Sequence, residues 1–278
     1  MRTTPLWVSL LAMATLLGSL ASQGQTAAAP AAIRTGEPVV NAAAFRGQGH
    51  LVFLWNGQPY VLDGRQGTLG ALPQAAAVAS LAWSPDGQWL AYLAVPAPGD
   101  AGPLWFTRAD GHAAHQVRGL GAPVTAFAWS PRADLVAARP QGDARRPSGL
   151  WVVPARGGVP RNVAPGSAGV GSFAWTPDGR RLAYQGADPR QQGVDLLTVV
   201  PLSGGRPRVV ARTPIVKGQD TGMIVAGWWP DGQSLLYQLD PYHSASFAAD
   251  GLLLLSLPPG GRPRRLAVTL GYPDWLAL

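Results

Sequence analysis

Aspartates recur in this chain in one setting, and that setting decides what they can do. Asp86, Asp178 and Asp231 each sit in the phrase Pro-Asp-Gly. A trio of aspartates invites two chemistries, a metal cage or a paired general acid and base. Pro-Asp-Gly is also a turn signature: Pro presets φ, Asp bonds the backbone just after it, and Gly takes the left-handed conformation. A fourth copy reads Pro131-Arg132-Ala133-Asp134 and breaks the pattern. A structural turn tolerates that break and a catalytic set does not, so these carboxylates are read as turn residues.

The other reactive side chains are few. His112 and His115 form His-x-x-His beside Asp110-Gly111. Two His at that spacing on a hairpin do not converge on one ion, and further ligands are scarce, so solvated hairpin histidines are expected. There is no Cys, and Glu37 is the only Glu. Disulfides, Cys-ligated metals and thiol catalysis are excluded, and two-carboxylate glycoside chemistry would rest on Asp alone, although Ser84 to Trp89 comes within a residue of the Asp-box of sialidase-like propellers. Pro165-Gly166-Ser167-Ala168-Gly169 lacks the first Gly of a nucleophile elbow. No phosphate-binding Gly-rich motif is present. Catalytic residues, cofactor and metal are therefore all expected to be none.

The turns belong to a repeat. Leu81 to Gly87, Phe127 to Pro131, Phe173 to Gly179 and Ala226 to Gly232 are copies of one phrase, with Trp83, Trp129, Trp175 and Trp228 in register at steps of 46, 46 and 53 residues. The unit Val170 to Arg212 shows the content: a small/aromatic strand to Trp175, the Pro-Asp-Gly turn, strands over Arg181 to Gln185 and Val194 to Pro201, a Gly-Gly turn, and a strand over Pro207 to Ala211. A degenerate copy comes first, with Phe45 where Trp stands elsewhere. Four antiparallel strands per unit, repeated, predict an all-β fold, a β-propeller of four-stranded antiparallel blades. Five repeats are recognisable. A terminal strand around Trp275, within Leu270 to Leu278, either begins a sixth blade or closes the ring near Glu37 to Val40, removing exposed edges. The ring is thus five- or six-bladed. Trp83, Trp129 and Trp175 are expected to be buried between blades, and Trp229, in the Ser position, to be more exposed.

The phrase Trp-[Ser/Thr]-Pro-Asp-Gly-x-x-Leu-Ala-Tyr with its later Gly-Gly turn resembles the TolB-type, WD-like propeller repeat over Asn41 to Thr269. That resemblance implies the fold. The α/β domain that precedes the propeller in TolB has no counterpart here, since only Ser22 to Val40 precedes the first blade, and TolB function is not implied.

The N-terminus reads as a secretory signal, 1–21, with Arg2, the apolar run Leu6 to Leu20 and a small-x-small site at Ser19-Leu20-Ala21. An Ala/Gly/Pro-rich segment, 22–40, leads to the propeller, 41–278. Periplasmic or secreted localisation is expected, with no later membrane span and a monomeric state. The net charge is +7 although only 13% of residues are charged. Nearly all the basic residues are Arg, with one cluster per repeat at Gly-Gly-x-Pro-Arg (Arg161, Arg206, Arg208, Arg262, Arg264, Arg265). Spread in this way they do not form a nucleic-acid stripe, and nucleic acid is not an expected partner. An anionic surface polymer suits them better.

Connectivity sorts the loops. First-to-second and third-to-fourth turns share one end of the propeller and are short and stereotyped. The other end carries the irregular segments Val95 to Pro103, Arg139 to Gly149, Gly186 to Gly193, Thr213 to Met223 and Asp240 to Asp250. Variable loops on a rigid scaffold are where recognition concentrates. Lys217 (the one Lys), Asp220, Tyr242, His243, Arg145, Arg146, Asp188 and Arg190 are the candidate partner-binding residues, for an envelope protein or peptide. An Asp/His/Arg hydrolase or lyase site on the same end, and an envelope structural protein holding anionic polymer, stay open as alternatives.

Overall fold

The computed structural model describes residues 38–72, 78–94, 100–108, 111–142, 149–165, 167, 169–213, 222–240 and 252–269. The expected signal, the segment to Glu37 and the terminal strand around Trp275 lie outside them.

Among the described residues, nineteen strands form five antiparallel sheets, each a meander of sequence neighbours. Blade 1 holds β1 (His50–Trp55), β2 (Gln58–Asp63) and β3 (Thr68–Ala71). Blade 2 holds β4 (Val78–Trp83), β5 (Trp89–Ala94), β6 (Leu104–Arg108) and β7 (His115–Gln116). Blade 3 follows with β8 (Val124–Trp129), β9 (Leu135–Pro140), β10 (Trp151–Pro154) and β11 (Arg161–Asn162). Blade 4 has β12 (Phe173–Trp175), β13 (Arg181–Ala187), β14 (Asp195–Pro201) and β15 (Arg208–Arg212). Blade 5 has β16 (Gly222–Trp228), β17 (Leu235–Asp240), β18 (Leu252–Leu257) and β19 (Arg264–Thr269).

The core is a series of layers between consecutive blades. Tyr92 and Leu90 meet Val61 and Val52 between blades 1 and 2, and Ala91 and Phe106 meet Val136 and Ala138 between blades 2 and 3. Ala137 and Val152 meet Leu182 and Tyr184 next, then Ala183 and Leu197 meet Leu235 and Tyr237. The second strands of blades 2 to 5 are apolar on both faces because each is sandwiched, whereas the outer strands of blades 3 to 5 carry exposed Arg.

The repeated Trp joins the blades. Trp129 Nε1 donates to Ala82 O (2.9 Å), Trp175 Nε1 to Ala128 O (3.1 Å) and Trp228 Nε1 to Ala174 O (3.4 Å). Each acceptor is the residue before the preceding blade's Trp, so the ladder runs from first strand to first strand around the inner ring. Buried indoles need such a partner. Only Trp175 is fully buried; Trp83, Trp129 and Trp228 are half-buried, and Trp229 is 42% exposed.

Blade 1 departs from the repeat. Phe45, expected in a first strand, ends a 3-10 turn, Ala42–Phe45. Asn41 caps it by accepting the Ala44 N–H at 3.1 Å, and a run of Ala favours a helical turn over a strand. This turn packs at the β2–β3 connection, where Gly47 N–H donates to Gly64 O and Gly64 N–H to Gly49 O, both at 2.6 Å. A Cβ on Gly64 would lie 2.5 Å from Gly49 O.

Candidate functional site

The short-turn end is self-satisfied. In blade 2 the Ser84 hydroxyl donates to Asp86 Oδ1 (2.5 Å), which also accepts Gln88 N–H (3.0 Å), while Ser84 Oγ accepts Trp89 N–H (2.9 Å). Blade 4 repeats this: Thr176 Oγ1 donates to Asp178 Oδ1 (2.5 Å), Arg180 N–H donates to the same oxygen (3.0 Å), and Arg181 N–H donates to Thr176 Oγ1 (3.0 Å). In blade 5 Asp231 Oδ1 accepts Gln233 N–H at 2.9 Å. Gly87, Gly179 and Gly232 share φ 68°. The Thr176 hydroxyl and Arg180 N–H hold the Asp178 carboxyl below its ordinary pKa. At Asp86 burial pushes upward, but the Ser84 and Gln88 bonds outweigh it and the net direction is again down. These are turn carboxylates, as the sequence reading holds, and each is occupied within its own turn.

The histidines divide. His112 is exposed, but His115 is not the solvated residue expected. Its ring packs edge-on to Trp89 (6.1 Å) and against Phe106 (5.7 Å). Nδ1 lies 3.0 Å from Ala113 O and donates there, since a carbonyl only accepts. The physical reason is the short outer strand β7, whose residues must cover the Trp89 and Phe106 rings.

At the other end of the blades the loop stems are clamped. Thr213, 1% exposed, accepts Asp195 N–H on Oγ1 and donates its own N–H to Asp195 O, both at 3.0 Å. Asp195 Oδ2 accepts Met223 N–H at 3.1 Å. One residue, Asp195, therefore fixes both stems of this connection, Thr213 through its backbone and Met223 through its carboxylate. Arg139 is a second clamp: Nε donates to Thr125 Oγ1 (2.9 Å) and the guanidinium donates to Gly171 O at the entry to blade 4. Burial pulls its pKa below the ordinary Arg value.

Of the candidate contact residues, Asp188 and Arg190 are described. Asp188 is inward-facing, with its side chain 2% exposed. Oδ1 accepts Arg190 N–H (2.9 Å), Oδ2 pairs with Arg212, and its N–H donates to Val194 O (2.7 Å). It shapes the 188–194 loop, and Arg190, exposed at the tip, is the side chain that loop presents. Lys217, Asp220, Tyr242, His243, Arg145 and Arg146 lie outside the described residues.

A feature the sequence reading missed opens at this same end. An open groove of about 410 Å³ lies where β6 begins and where the chain passes from β7 to β8. Pro103, Val117 and Pro123 line it, Leu104 and Leu120 are buried beside it, and Arg118 is its exposed cation. The Gly102–Val124 bridge ties its walls together. The only sequence signal was a Pro/Gly-rich link, which reads as an ordinary connection.

Comparisons with known proteins agree with this architecture. A model of the WD domain, G-beta repeat, matches residues 67–92, from the end of blade 1 through most of β5. Dipeptidyl peptidase 4 of Porphyromonas gingivalis is 13% identical, with 79% of this chain and 38% of that chain covered at a TM-score of 0.57. Oligogalacturonate lyase of Vibrio parahaemolyticus is 13% identical over 79% of this chain and 62% of its own, at 0.55. TolB of Acinetobacter baumannii is 12% identical over 77% of this chain and 52% of its own, at 0.42. The chain spans less than two thirds of each of these proteins. No protein of curated function matches the sequence. Among the described residues no helix is long and apolar enough to cross a membrane. The shared feature is architecture: this chain is a β-propeller built from WD-like repeats.

Proposed function

We propose that this propeller is an exported binding scaffold that takes an envelope protein or peptide on its long-loop end. The observation that carries the reading is the groove between Pro103, Val117 and Pro123, which opens among the irregular connections and is rimmed by Arg118. An open groove of this size, with mixed polar and apolar lining and one cation, suits an extended peptide or a protruding loop. Arg190 stands at the tip of its loop on the same end, and the segment bearing Lys217 and Asp220 leaves from clamped stems there, while Tyr242 and His243 follow the end of β17. Rigid stems reduce the ordering cost of a contact surface. Arg118 beside the groove matches the enrichment of Arg at protein contacts. Periplasmic or secreted localisation follows from the signal-like N-terminus.

The test is capture from an envelope extract. The wild-type chain is compared with Arg118→Glu and with a triple variant, Lys217→Ala, Tyr242→Ala and His243→Ala. Both variants should lose the partner at least tenfold while melting within about 2 °C of wild type. A partner retained equally by both would show that recognition lies elsewhere on the propeller.

A further inference from the structure

Three outer turns carry one phrase and use its arginine differently. Gly157-Gly158-Val159-Pro160-Arg161, Gly204-Gly205-Arg206-Pro207-Arg208 and Gly260-Gly261-Arg262-Pro263-Arg264 join the third and fourth strands of blades 3, 4 and 5. The first two share a backbone path, with φ 91° and 132° at Gly157 and Gly158 and 90° and 132° at Gly204 and Gly205. The residue after the glycines stands out from the blade: Val159 is 88% exposed, and Arg206 and Arg262 are exposed too. The arginine after Pro is exposed in all three turns. Arg161 has a structural use, since it donates to Leu202 O of the next blade at 2.7 Å. Arg208 and Arg264 have none. Among the described residues their guanidiniums, like those of Arg206, Arg262 and Arg265, make no hydrogen bond and no ion pair. The carboxylates of the same end of blades 4 and 5, Asp178 and Asp231, are engaged in their own turns.

Apolar side chains stand exposed among these charges. Val209 follows Arg208 at 52% exposure, and Leu266 follows Arg265 at 47%. Trp229, 42% exposed, fills the position of Ser84, Ser130 and Thr176, each of them buried. Blade 5 closes its turn without a hydroxyl there, through Trp229 N–H to Ser234 O and Gly232 N–H to Trp229 O. The turn therefore does not need the indole. The ring lies across the blade with Nε1 donating to Ser256 Oγ at 3.1 Å. Ser256 is the cross-strand partner of Arg264, so the exposed ring sits beside the arginines.

We propose that the short-turn end of blades 3 to 5 rests on an anionic lipid surface, with Arg206, Arg208, Arg262 and Arg264 on phosphodiester headgroups and Trp229 in the layer just beneath them. Free guanidiniums complement negative charge, and their planar forks match phosphate oxygens. Charge alone would suit a soluble polyanion equally well. The exposed Val159, Val209, Leu266 and Trp229 in the same row suit a partner with hydrocarbon behind its charge. Trp settles at that boundary because one edge of its ring is polar and the rest is not. The three blades offer one continuous face. The Arg161 bond to Leu202 O ties the blade 3 turn to blade 4, and Arg181 donates to Gly232 O (2.9 Å), tying blade 4 to the turn that carries Trp229. This end is opposite the long loops, so a chain seated on it turns its groove and Arg190 away from the bilayer.

Co-sedimentation with vesicles tests this. The chain is taken from Ser22, so that the apolar run Leu6 to Leu20 cannot itself enter a bilayer. It should pellet with mixed phosphatidylglycerol–phosphatidylcholine vesicles and not with phosphatidylcholine alone, and high salt should release it. Each basic side chain at an anionic surface is worth about fivefold in affinity. Arg208→Glu/Arg264→Glu should therefore weaken binding at least about tenfold. Arg118→Glu/Arg190→Glu makes the same change in net charge at the loop end and should leave vesicle binding intact, which separates this surface from the partner groove. Trp229→Ser restores the residue found at Ser84 and Ser130; it should melt like wild type and weaken vesicle binding several-fold, yet leave retention on immobilised polyphosphate unchanged. Equal binding to neutral vesicles, equal losses in the two arginine pairs, or full vesicle binding by Trp229→Ser would each overturn the proposal, the last by assigning the arginines to a soluble polyanion.

Discussion

Trp175 is where the ladder can be tested most cleanly. It is 9% exposed and packs with Ala137, Val152, Val163, Leu182 and Tyr184 in the layer between blades 3 and 4. Two effects hold it there, ring burial and the 3.1 Å bond to Ala128 O. Trp175→Ala removes both and leaves a void, at a cost of about 3–5 kcal/mol. Trp175→Phe keeps most of the ring and drops the N–H. Ala128 lies opposite Ala137 in its own sheet, so its carbonyl keeps a strand partner, and the loss should be about 1 kcal/mol plus a small cost in packing. At roughly 2–4 °C per kcal/mol for a domain of this size, Trp175→Ala should lower Tm by roughly 6–20 °C and Trp175→Phe by less than about 6 °C. Urea unfolding followed by far-UV circular dichroism checks both variants. Because blades are near-independent units, a split transition in Trp175→Ala would mark uncoupling at the blade 3–4 junction and fits the reasoning. A loss below about 1 kcal/mol for Ala, or equal losses for Phe and Ala, would refute it, because ring burial would then not be what chiefly holds the indole in place.

Two further outcomes follow from single side chains. The Asp178 carboxyl is held below its unfolded pKa, so its contribution is fully present above roughly pH 4 and is lost as pH falls through the folded value; Thr176→Val, which removes the hydroxyl donor but keeps the buried shape, should move the acid-unfolding midpoint to higher pH, and an unmoved midpoint in a pH titration of ellipticity would count against the turn mechanism. Asp188→Ala should cost about 1–3 kcal/mol by leaving the Arg190 N–H and Arg212 without their acceptor, and amide exchange across 189–193 should speed up while the β13–β14 amides stay slow; equal exchange in both regions would show that Asp188 does not shape the loop.

What could be read ahead of the structure was whatever the repeat enforces. Trp129, Trp175 and Trp228 align in sequence because each must reach the same carbonyl, and Asp86 and Asp178 recur because each closes the same turn. Phe45 shows the limit. It lies 38 residues before Trp83, short of the 46 to 53 of the other steps, and Asn41 and the alanines after it favour a capped helical turn locally, which no cross-strand partner in the sequence window reveals. His115 escapes a sequence reading because solvation depends on what a two-residue strand must cover, a tertiary fact. Asp188 and Arg190 look alike as loop charges; burial of one and exposure of the other come from Arg212, 24 residues away. The groove beside Arg118 arises from two segments that meet only in the fold.

The arginines connect these observations. Arg132 donates to Pro177 O (3.3 Å), Arg161 to Leu202 O (2.7 Å), Arg181 to Gly232 O (2.9 Å) and Arg139 to Gly171 O, each from one blade to the next. The indoles donate in the opposite sense, from each blade to the one before. Every junction from blade 3 to blade 5 is therefore laced in both directions by side chains that bond backbone carbonyls. Carbonyl acceptors accommodate any side-chain sequence on the next blade, so the lacing does not constrain the loops. They also leave the guanidinium charge uncompensated. Among the described residues Arg156 and Arg212 are the arginines in ion pairs. A chain stitched in this way becomes strongly basic as a consequence of how its blades are joined. Its charge of +7 is thus in part a property of the scaffold, and the partner recognition proposed above is to be sought in the few cations, such as Arg118 and Arg190, that stand at the loop end with no blade to hold.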